Sequence, residues 1–254
     1  MGRVIAVANQ KGGVGKTTTA INLAAGLAVA ERPTLLIDLD PQSNTTTGLG
    51  ISVPEGSPTV YHTLLAEDSI DKAVRDTGFG QLSIVPSEAG LVGAEVELVP
   101  LPRRESRLKE GLDSAIERFD YILVDCPPSL NLLTINALTA ADSVLIPLQC
   151  EYYALEGVAQ LINKTIRAVK DRLNQRLRVE GILLTMFDAR TSLAAQVKAE
   201  VERYFAAELF KTVIPRNVRL SEAPSHGKPI IFYDLQSAGA IAYLELTKEV
   251  LAYG

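Results

Sequence analysis

The glycine-rich stretch NQKGGVGKTTTAINLA, residues 9–24, restricts the fold of this chain more than any other segment. It follows an apolar run over residues 4–8, which predicts a strand, and it leads into a helical pattern over residues 16–30. Glycine lets the backbone approach a ligand closely, so that successive N–H groups can surround an anion. The start of the helix adds partial positive charge. The stretch therefore predicts a phosphate-binding loop in an α/β fold.

The loop departs from the usual phosphate-binding pattern G-x-x-x-x-G-K-[ST]. The run GKT at residues 15–17 would end that pattern, but Gln10 stands where its first glycine should be. We expect Lys16 to reach the β- and γ-phosphates of a nucleotide and the Thr17 hydroxyl to bind Mg²⁺. A second lysine, Lys11, lies at the mouth of the loop, outside that cradle. A glycine-rich turn that only caps a helix is the alternative.

Short apolar runs alternate with longer helical patterns along the chain. The predicted strands are residues 4–8, 34–38, 83–86, 121–125, 143–148, 181–187 and 212–214. The predicted helices are residues 16–30, 105–119, 156–174, 194–207 and 240–252. Strands that are apolar almost throughout indicate a sheet covered on both faces, and the alternation indicates right-handed crossovers. We therefore predict a doubly wound, mostly parallel sheet with helices on both faces, in one domain over residues 1–254.

Three aspartates stand at the ends of predicted strands, which is where open α/β sheets bind ligands. Asp38 and Asp40 lie in the segment LLIDLDPQ, and Asp125 lies in YILVDCPPS. A carboxylate in such a place can hold Mg²⁺ beside nucleotide phosphates, often through water. Two carboxylates near a triphosphate repel it unless a metal or a water is involved, which favours a magnesium or catalytic role. Ordinary helix-cap or turn aspartates are the alternative.

The charge of the chain is unevenly distributed. The formal net charge is −5 and the isoelectric point is about 5.2, which argues against nucleic-acid binding by the surface as a whole. Residues 164–219, however, contain 12 Lys or Arg against 6 Asp or Glu, a net charge of +6 that leaves −11 for the remainder. A protein polarised in this way can place one basic face on a polyanion. Solvated helix faces with internal ion pairs are the alternative.

The composition also bears on compartment and redox chemistry. Cys126 and Cys150 are far apart and not in a metal-like spacing, which favours reduced thiols over a disulfide scaffold. No apolar run approaches the roughly 18–20 residues of a membrane span. We therefore expect a soluble cytoplasmic protein.

Five motifs, in order, resemble those of the ParA/MinD group of P-loop ATPases, and in particular its ParA/Soj chromosome-partitioning branch. The box KGGVGKTT, residues 11–18, looks like the deviant Walker A motif of that group. The segments DLDPQSN and DCPPS resemble its second aspartate box and Walker B motif. The segments LLTMFDARTSLAAQV and IPRNVRLSEAPSHGKPI are similar to that branch too. The resemblance extends from about residue 3 to the last helix, so it covers nearly the whole chain.

The resemblance implies a site for ATP and Mg²⁺ that two protomers share. It implies that Lys11 crosses the interface of an ATP-dependent homodimer to the other protomer's phosphates, like an arginine finger supplied in trans. It also implies that Asp40 orients or activates the attacking water. The implied catalytic residues are Lys11, Lys16 and Asp40, and the implied magnesium ligands are Thr17, Asp38 and Asp125. The implied nucleotide-binding residues are Lys11, Gly12, Gly13, Val14, Gly15, Lys16, Thr17, Thr18, Pro215 and Asn217, the last two beside the adenine.

The same resemblance makes the basic segment a predicted DNA-binding surface. The implied contacts are Arg190 and Arg219 in the DAR and NVRL segments, with Lys198 and Arg203 adding phosphate contacts. Because no helix-turn-helix is evident, we expect nonspecific, salt-sensitive binding to double-stranded DNA. The family implies an association with the nucleoid and a slow ATP hydrolysis. It implies that DNA and a ParB/Spo0J-type centromere-binding partner stimulate that hydrolysis.

Three other functions remain open from the residues alone. A MinD-like membrane-positioning ATPase needs a basic amphipathic C-terminal helix, whereas the ending LELTKEVLAYG has Lys248 as its only cation, so we expect no membrane binding. An iron–sulfur protein of the same group needs well-placed cysteines, and small buried thiols explain Cys126 and Cys150 better. A P-loop transferase or kinase needs a small-molecule pocket that no constellation here predicts.

Overall fold

The chain folds around one central sheet of eight strands. A computed structural model describes residues 2–152 and 154–252. The strands are β1 (Arg3–Val7), β2 (Thr34–Asp38), β3 (Arg75–Asp76), β4 (Leu82–Val85), β5 (Tyr121–Asp125), β6 (Ser143–Gln149), β7 (Arg178–Phe187) and β8 (Leu209–Pro215). Their order is β3-β4-β2-β5-β1-β6-β7-β8, and all neighbours are parallel except β3 with β4. The doubly wound, mostly parallel sheet that the sequence predicts is confirmed.

Helices cover both faces of this sheet. They are α1 (Lys16–Val29), α2 (Asn44–Gly48), α3 (Val60–Leu65), α4 (Ile70–Ala73), α5 (Leu91–Glu97), α6 (Arg107–Leu112), α7 (Leu132–Ala140), α8 (Ala154–Gln160), α9 (Arg167–Arg172), α10 (Ser192–Phe205), α11 (Val218–Glu222), α12 (Ile230–Tyr233) and α13 (Ala238–Ala252). A π-helical segment, Leu161–Ile166, joins α8 to α9, and a 3₁₀ turn, Ala223–His226, follows α11.

The hydrophobic core lies in two layers, one on each face of the sheet. Alternate residues of β1 enter different layers, Val4 and Ala6 the first and Ile5 and Val7 the second, as the period of two in a strand requires. Helices α3 to α10 contribute to the first layer, and α1, α12 and α13 to the second. Burial on both faces explains why the strands are apolar almost throughout.

Several segments differ from the sequence prediction, and seven of the described helices, α2 to α5, α7, α11 and α12, were not predicted. The helix predicted over residues 105–119 is the shorter α6, after which the chain continues in tight turns. There the carbonyl oxygen of Ile116 accepts a 2.7 Å hydrogen bond from the N–H of Gly2, so this segment is fastened to the start of β1. The helix predicted over residues 156–174 is interrupted by the π-helical segment. Strand β3 was not predicted, because two residues are too few to show an alternating pattern.

The sheet brings the ends of β2, β5 and β1 side by side. In their register, Val7 of β1 and Asp38 of β2 both pair with Asp125 of β5. The glycine-rich loop begins just beyond the end of β1. The loop and two of the predicted carboxylates therefore meet at the carboxyl edge of the sheet, where α/β folds bind their ligands.

Candidate nucleotide-binding site

The glycine-rich loop between β1 and α1 has the backbone geometry of an anion cradle. Gly13 and Gly15 have φ angles of 74° and 85°, which residues with a side chain rarely adopt. Gly15 is the N-cap of α1, so the unpaired N–H groups of the first helical turn point toward the loop. The loop is also fastened to β7, because the Thr185 hydroxyl donates to the carbonyl oxygen of Val14 at 2.8 Å. This geometry suits a chain of phosphates.

The loop forms one wall of a cavity of about 480 Å³ at the carboxyl edge of the sheet. Pockets for small-molecule ligands usually measure about 300–1,000 Å³. The predicted site residues that line this cavity are Gly12, Gly13, Gly15, Lys16, Thr17, Thr18, Asp40, Pro215 and Asn217. Lining residues that sequence reasoning missed include Asn44, Pro128, Thr185, Met186 and Tyr243. The fold thus collects residues from distant segments around one space, including two separate parts of the chain's basic region.

Lys16 begins α1 and is the lysine of the loop that faces the cavity. Its amino group donates to the carbonyl oxygen of Lys11 at 3.0 Å, across the loop. Burial lowers the pKa of Lys16, and the negative charge of Asp125 is the strongest effect that opposes this shift. An anion in the cradle would stabilise the buried ammonium group, which fits a lysine that binds phosphates.

Asp125, at the end of β5, is completely buried beside the loop. Its Oδ2 atom accepts hydrogen bonds from the hydroxyls of Thr17, at 2.8 Å, and Thr45, at 2.6 Å. Its Oδ1 atom is buried and has no hydrogen-bond partner among the described residues. Burial raises the pKa of Asp125 to about 7, and the charge of Asp38 adds to the shift. Sequence reasoning missed Thr45, because one threonine in the polar run SNTTTG forms no pattern.

The surroundings of Asp125 fit a magnesium ion held together with a nucleotide. Mg²⁺ prefers hard oxygen ligands and usually combines one or two protein groups with waters and phosphates. The unpartnered Oδ1 of Asp125 offers such an oxygen, and the Thr17 hydroxyl lies against the same carboxylate. Within residues 2–152 and 154–252, no three His, Cys, Asp or Glu side chains are grouped to hold a metal by themselves. Thr17 and Asp125 would therefore share the ion with phosphates.

Asp38, which ends β2, and Asp40, two residues beyond it, occupy different places. Asp40 lines the cavity, and its Oδ1 atom accepts a 2.9 Å hydrogen bond from the N–H of Gln42. Asp38 is completely buried behind the cavity wall, and burial raises its pKa to about 6. Its Oδ2 accepts from the N–H and hydroxyl of Thr46, at 2.8 and 2.7 Å, and its Oδ1 from the N–H of Asp40 at 3.2 Å. Magnesium binding by Asp38 stays a prediction, since the structure places these other partners on both oxygens.

Lys11 and Val14 do not line the cavity. The Lys11 side chain is 47% exposed and forms an ion pair with Glu151, which follows β6. Val14 is buried behind the loop, where its carbonyl oxygen meets β7. The role of Lys11 at another protomer's nucleotide stays a prediction, and its half-exposed position leaves it on the outside of its own site.

The predicted adenine contacts lie on the β8 side of the cavity. Pro215 ends β8, and Asn217 caps the start of α11, where its Oδ1 accepts a 3.0 Å hydrogen bond from the N–H of Arg219. Met186, on the neighbouring β7, lines the same cavity with a φ angle of 48°. A left-handed backbone at a residue with a side chain costs about 1–3 kcal/mol, and such strain is concentrated at ligand sites.

Two of the predicted DNA-binding arginines lie close to the cavity. Arg190 follows β7, is 87% exposed and forms a bidentate ion pair with Asp188. These hydrogen bonds, with a smaller effect from the charge of Arg216, lower the pKa of Asp188 to about 2. Arg219, on α11, pairs with Glu222 at 2.8 Å. Arg216 itself lines the cavity, and Arg190 and Arg219 belong to the segments that follow β7 and β8, whose ends line it too. We call these three arginines the basic rim.

The other two predicted DNA contacts lie along α10. Lys198 pairs with Glu202 at 3.7 Å, and the guanidinium of Arg203 lies 5.5 Å from the ring centre of Tyr204. At 1.5 Å per helical residue, Arg203 is roughly 16 Å beyond the start of the helix. Arg203 is therefore well separated from Arg190, and the four predicted residues do not form one cluster.

The structure gives no support to the membrane and iron–sulfur alternatives. In α13, Tyr243, Leu246 and Val250 are buried in the core, and Lys248, the only cation of Ala238–Ala252, pairs with Glu245. Tyr253 and Gly254 lie outside the described residues. Among the described helices, none combines the length and the apolar character needed to cross a bilayer. Cys126 is 1% exposed, so its thiol cannot ligate a cluster at a subunit interface.

The raised pKa of Asp125 leads to a prediction about pH and stability. A raised pKa means that the folded state binds this proton more tightly than the unfolded state, so the resulting stabilisation is lost as the pH rises toward 7. Asp125→Asn removes this titration. Without nucleotide, we expect the Tm of the variant to exceed that of the wild type by about 5 °C at pH 8, with a smaller difference at pH 5.

Thermal unfolding followed by circular dichroism between pH 5 and pH 8 measures this difference. Asp120→Asn is the control, because Asp120 lies at the opposite end of β5 and its side chain is 46% exposed. A difference in Tm between the Asp125 variant and the wild type that stays constant or shrinks as the pH rises would contradict the prediction.

Comparisons with known proteins cover the chain from end to end. A family model described as an AAA domain matches residues 2–179. The chain is 57% identical over 254 residues to the sporulation initiation inhibitor protein Soj of Bacillus subtilis, covering 100% of both. It is 57% identical over 251 residues to the chromosome partitioning protein ParA of Myxococcus xanthus, covering 99% of this chain and 88% of that protein.

A solved structure shares both the fold and much of the sequence. Cobyrinic acid a,c-diamide synthase from Mycobacterium smegmatis, with bound ADP and magnesium, has a TM-score of 0.86 and 39% identity to this chain. The match covers 100% of this chain and 95% of that one. Every segment that lines the cavity is therefore included in the similarity.

Proposed function

This chain belongs to the ParA/Soj family of chromosome-partitioning ATPases, and from that membership and the site we propose an ATP-driven cycle of dimerisation and DNA binding. In this cycle the protein binds Mg·ATP, forms a homodimer, binds double-stranded DNA without sequence preference, hydrolyses ATP and releases the DNA. The observation that carries the proposal is the cavity that collects Lys16, Thr17 and Asp40 beside the buried Asp125.

Each of these residues has a distinct part in the proposed hydrolysis. Lys16 and the N–H groups of the loop bind the β- and γ-phosphates, as their place in the cradle allows. Bound magnesium would supply neutralisation of the charge that develops on the phosphates. Thr17 and Asp125 hold that ion. Asp40, on the cavity wall but outside the cradle, orients the attacking water.

The position of Lys11 supports the proposed homodimer. Its side chain lies outside its own cavity, is half exposed and is held by an exposed ion pair with Glu151, which it can exchange for a nucleotide held by a second copy. Two copies related by a twofold axis would then each contribute one lysine to the other's ATP. ATP between the two cradles stabilises this dimer, and hydrolysis weakens it.

The basic rim supports a link between nucleotide and DNA. Arg219 belongs to α11, a helix that begins at Asn217 on the cavity wall. Arg190 and Arg219 would contact phosphates, and dimerisation would double the number of such contacts, so ATP would control DNA affinity through avidity. The family further suggests a ParB/Spo0J-type partner that stimulates hydrolysis, a location on the nucleoid and a role in moving chromosome or plasmid DNA.

Loss of a rim arginine is expected to weaken DNA binding. In the presence of ATP, we expect Arg219→Ala and Arg190→Ala each to lower the affinity for a DNA duplex of arbitrary sequence by about tenfold. Each variant should also reduce the slope of log K against log salt by about 2, because the dimer loses one phosphate contact per protomer. The wild type should bind DNA with ATP and only weakly with ADP. Electrophoretic shift and fluorescence anisotropy at several salt concentrations measure both effects.

Arg32→Ala is the matched control for this experiment. Arg32 is also half exposed and paired with a carboxylate, Asp120, but it precedes β2 at the opposite edge of the sheet. Its loss should leave DNA affinity and the salt slope close to those of the wild type. If Arg219→Ala binds DNA as well as Arg32→Ala does, or if the wild type binds equally with ATP and ADP, the proposed link is wrong.

A further inference from the structure

Buried hydrogen bonds hold both the N–H and the carbonyl oxygen of Asp40. The Ser87 hydroxyl, just beyond β4, donates to the carbonyl oxygen of Asp40 at 2.8 Å. On the other side, the N–H of Asp40 donates to Oδ1 of Asp38 at 3.2 Å. Ser87 is 1% exposed and Asp38 is 0% exposed, so water does not compete for these bonds. Both backbone groups of Asp40 are therefore anchored to residues outside the cavity.

Thr46 closes these hydrogen bonds into a ring. Its hydroxyl donates to Oδ2 of Asp38 at 2.7 Å and accepts from the N–H of Ser87 at 3.1 Å, and its own N–H donates to the same Oδ2 at 2.8 Å. Asp38 is thus the acceptor at the centre of the ring, and Thr46 joins it to Ser87. Every link has ordinary hydrogen-bond length.

The segment that carries Asp40 needs such support. Asp40 faces the nucleotide cavity, whereas Thr46 and Ser87 face a second cavity of about 510 Å³ on the other side of the same segment. Residues 40–47 therefore form a wall between two cavities, and Asp40, Thr45 and Thr46 are its buried members. Ser43, within this wall, has a left-handed backbone with a φ angle of 54°, which adds strain.

We infer that Ser87 and Thr46, acting through Asp38, are positioning residues that hold Asp40 at the correct distance from the attacking water. This inference rests on the proposed role of Asp40 in ATP hydrolysis. It gives Asp38 a structural task in place of direct metal binding, since both of its oxygens serve the ring. Thr46 and Ser87 do not line the nucleotide cavity, so their loss should affect the rate of hydrolysis rather than nucleotide affinity.

Removal of single hydroxyl groups tests the inference. Since displacement of a reacting group by about 1 Å can cost about 100-fold in rate, we expect Thr46→Val and Ser87→Ala each to lower kcat by about tenfold and to change ATP affinity by less than about twofold. Thr46→Ser keeps the hydroxyl and should restore most of the rate. Steady-state phosphate release and titration with a fluorescent ATP analogue give the two quantities.

Thr139→Val controls for general loss of stability. Thr139 is equally buried, and its hydroxyl donates to the carbonyl oxygen of Ile135 within α7, away from the ring. Its loss should lower Tm without lowering kcat. Equal loss of rate in this control, or wild-type rates in both Thr46→Val and Ser87→Ala, would overturn the inference.

A double variant separates positioning from an independent effect. If Thr46 acts through Asp40, Thr46→Val should have no further effect on the residual rate of Asp40→Ala. A further tenfold loss in the double variant would show that Thr46 acts by another route, and the inference would fail. The proposed role of Asp40 is tested separately by Asp40→Ala alone. If this variant hydrolyses ATP at the wild-type rate, that role is wrong, and the inference that rests on it is wrong too.

Discussion

Asp40→Ala is expected to slow ATP hydrolysis by at least about 100-fold, the usual contribution of a group that manages a proton or a water, while ATP affinity stays near that of the wild type. The reason is the position of Asp40. Its carboxylate lines the cavity, but it accepts a hydrogen bond from the N–H of Gln42, which is not part of the glycine-rich cradle. With hydrolysis slowed, the ATP-bound dimer should persist instead of dissociating.

Size-exclusion chromatography with light scattering measures this outcome in ATP and in ADP. The wild type should return to monomer as ATP is consumed, whereas the variant should remain a dimer in ATP and a monomer in ADP. Asp120→Ala, at the opposite end of the sheet, serves as the control for loss of a carboxylate. An Asp40→Ala protein that releases phosphate at the wild-type rate would falsify the proposed role of this residue.

Lys11→Ala is expected to abolish ATP-induced dimerisation while the monomer still binds ATP. Lys16→Ala should instead lower ATP affinity itself. The difference follows from the structure, because Lys16 faces the cavity and reaches across the loop, whereas Lys11 lies outside and is paired with Glu151. In the proposed dimer, Lys11 makes a charge-assisted contact with the phosphates of the nucleotide held by the other protomer. Loss of this contact, which the interface shields from water, should raise the dimer dissociation constant by at least about 30-fold.

Glu151→Gln tests whether the partner of Lys11 matters. An ion pair between two half-exposed side chains contributes less than about 1 kcal/mol, so its removal should leave dimerisation intact or make it slightly tighter. Light scattering in ATP and titration with a fluorescent ATP analogue distinguish these variants. Normal dimerisation of Lys11→Ala, or a loss of ATP affinity as large as that of Lys16→Ala, would contradict the two-protomer site.

Local patterns made much of the fold predictable. Strands β2 and β5 were predicted with their observed ends, because a strand buried on both faces must be apolar throughout, and that requirement shows in the sequence. The loop was predictable for a similar reason. Its backbone geometry depends on residues that are adjacent in the chain, namely glycines with positive φ followed by Lys16 at the start of a helix.

The limits of local patterns are equally visible in the fold. Helix α6 ends at Leu112, seven residues before the predicted end at residue 119, and beyond it the carbonyl of Ile116 accepts a hydrogen bond from the N–H of Gly2, far away in the sequence. No window around residues 105–119 contains that partner. The same holds for the π-helical interruption, which the apolar periodicity of residues 156–174 does not reveal.

Local patterns in the sequence establish the class of fold, the phosphate-binding loop and the strand ends at which carboxylates gather. How those groups are used depends on contacts that form only in the folded chain: Thr46 holds Asp38 behind the wall, Asp125 keeps one oxygen without a partner among the described residues, and Thr45 and Ser87 support the site. The physical reason is that backbone geometry and periodic burial are local properties. The hydrogen bonds of Ser87 with Asp40 and of Thr45 with Asp125 join residues 47 and 80 positions apart, and they form only when the sheet brings strand ends together.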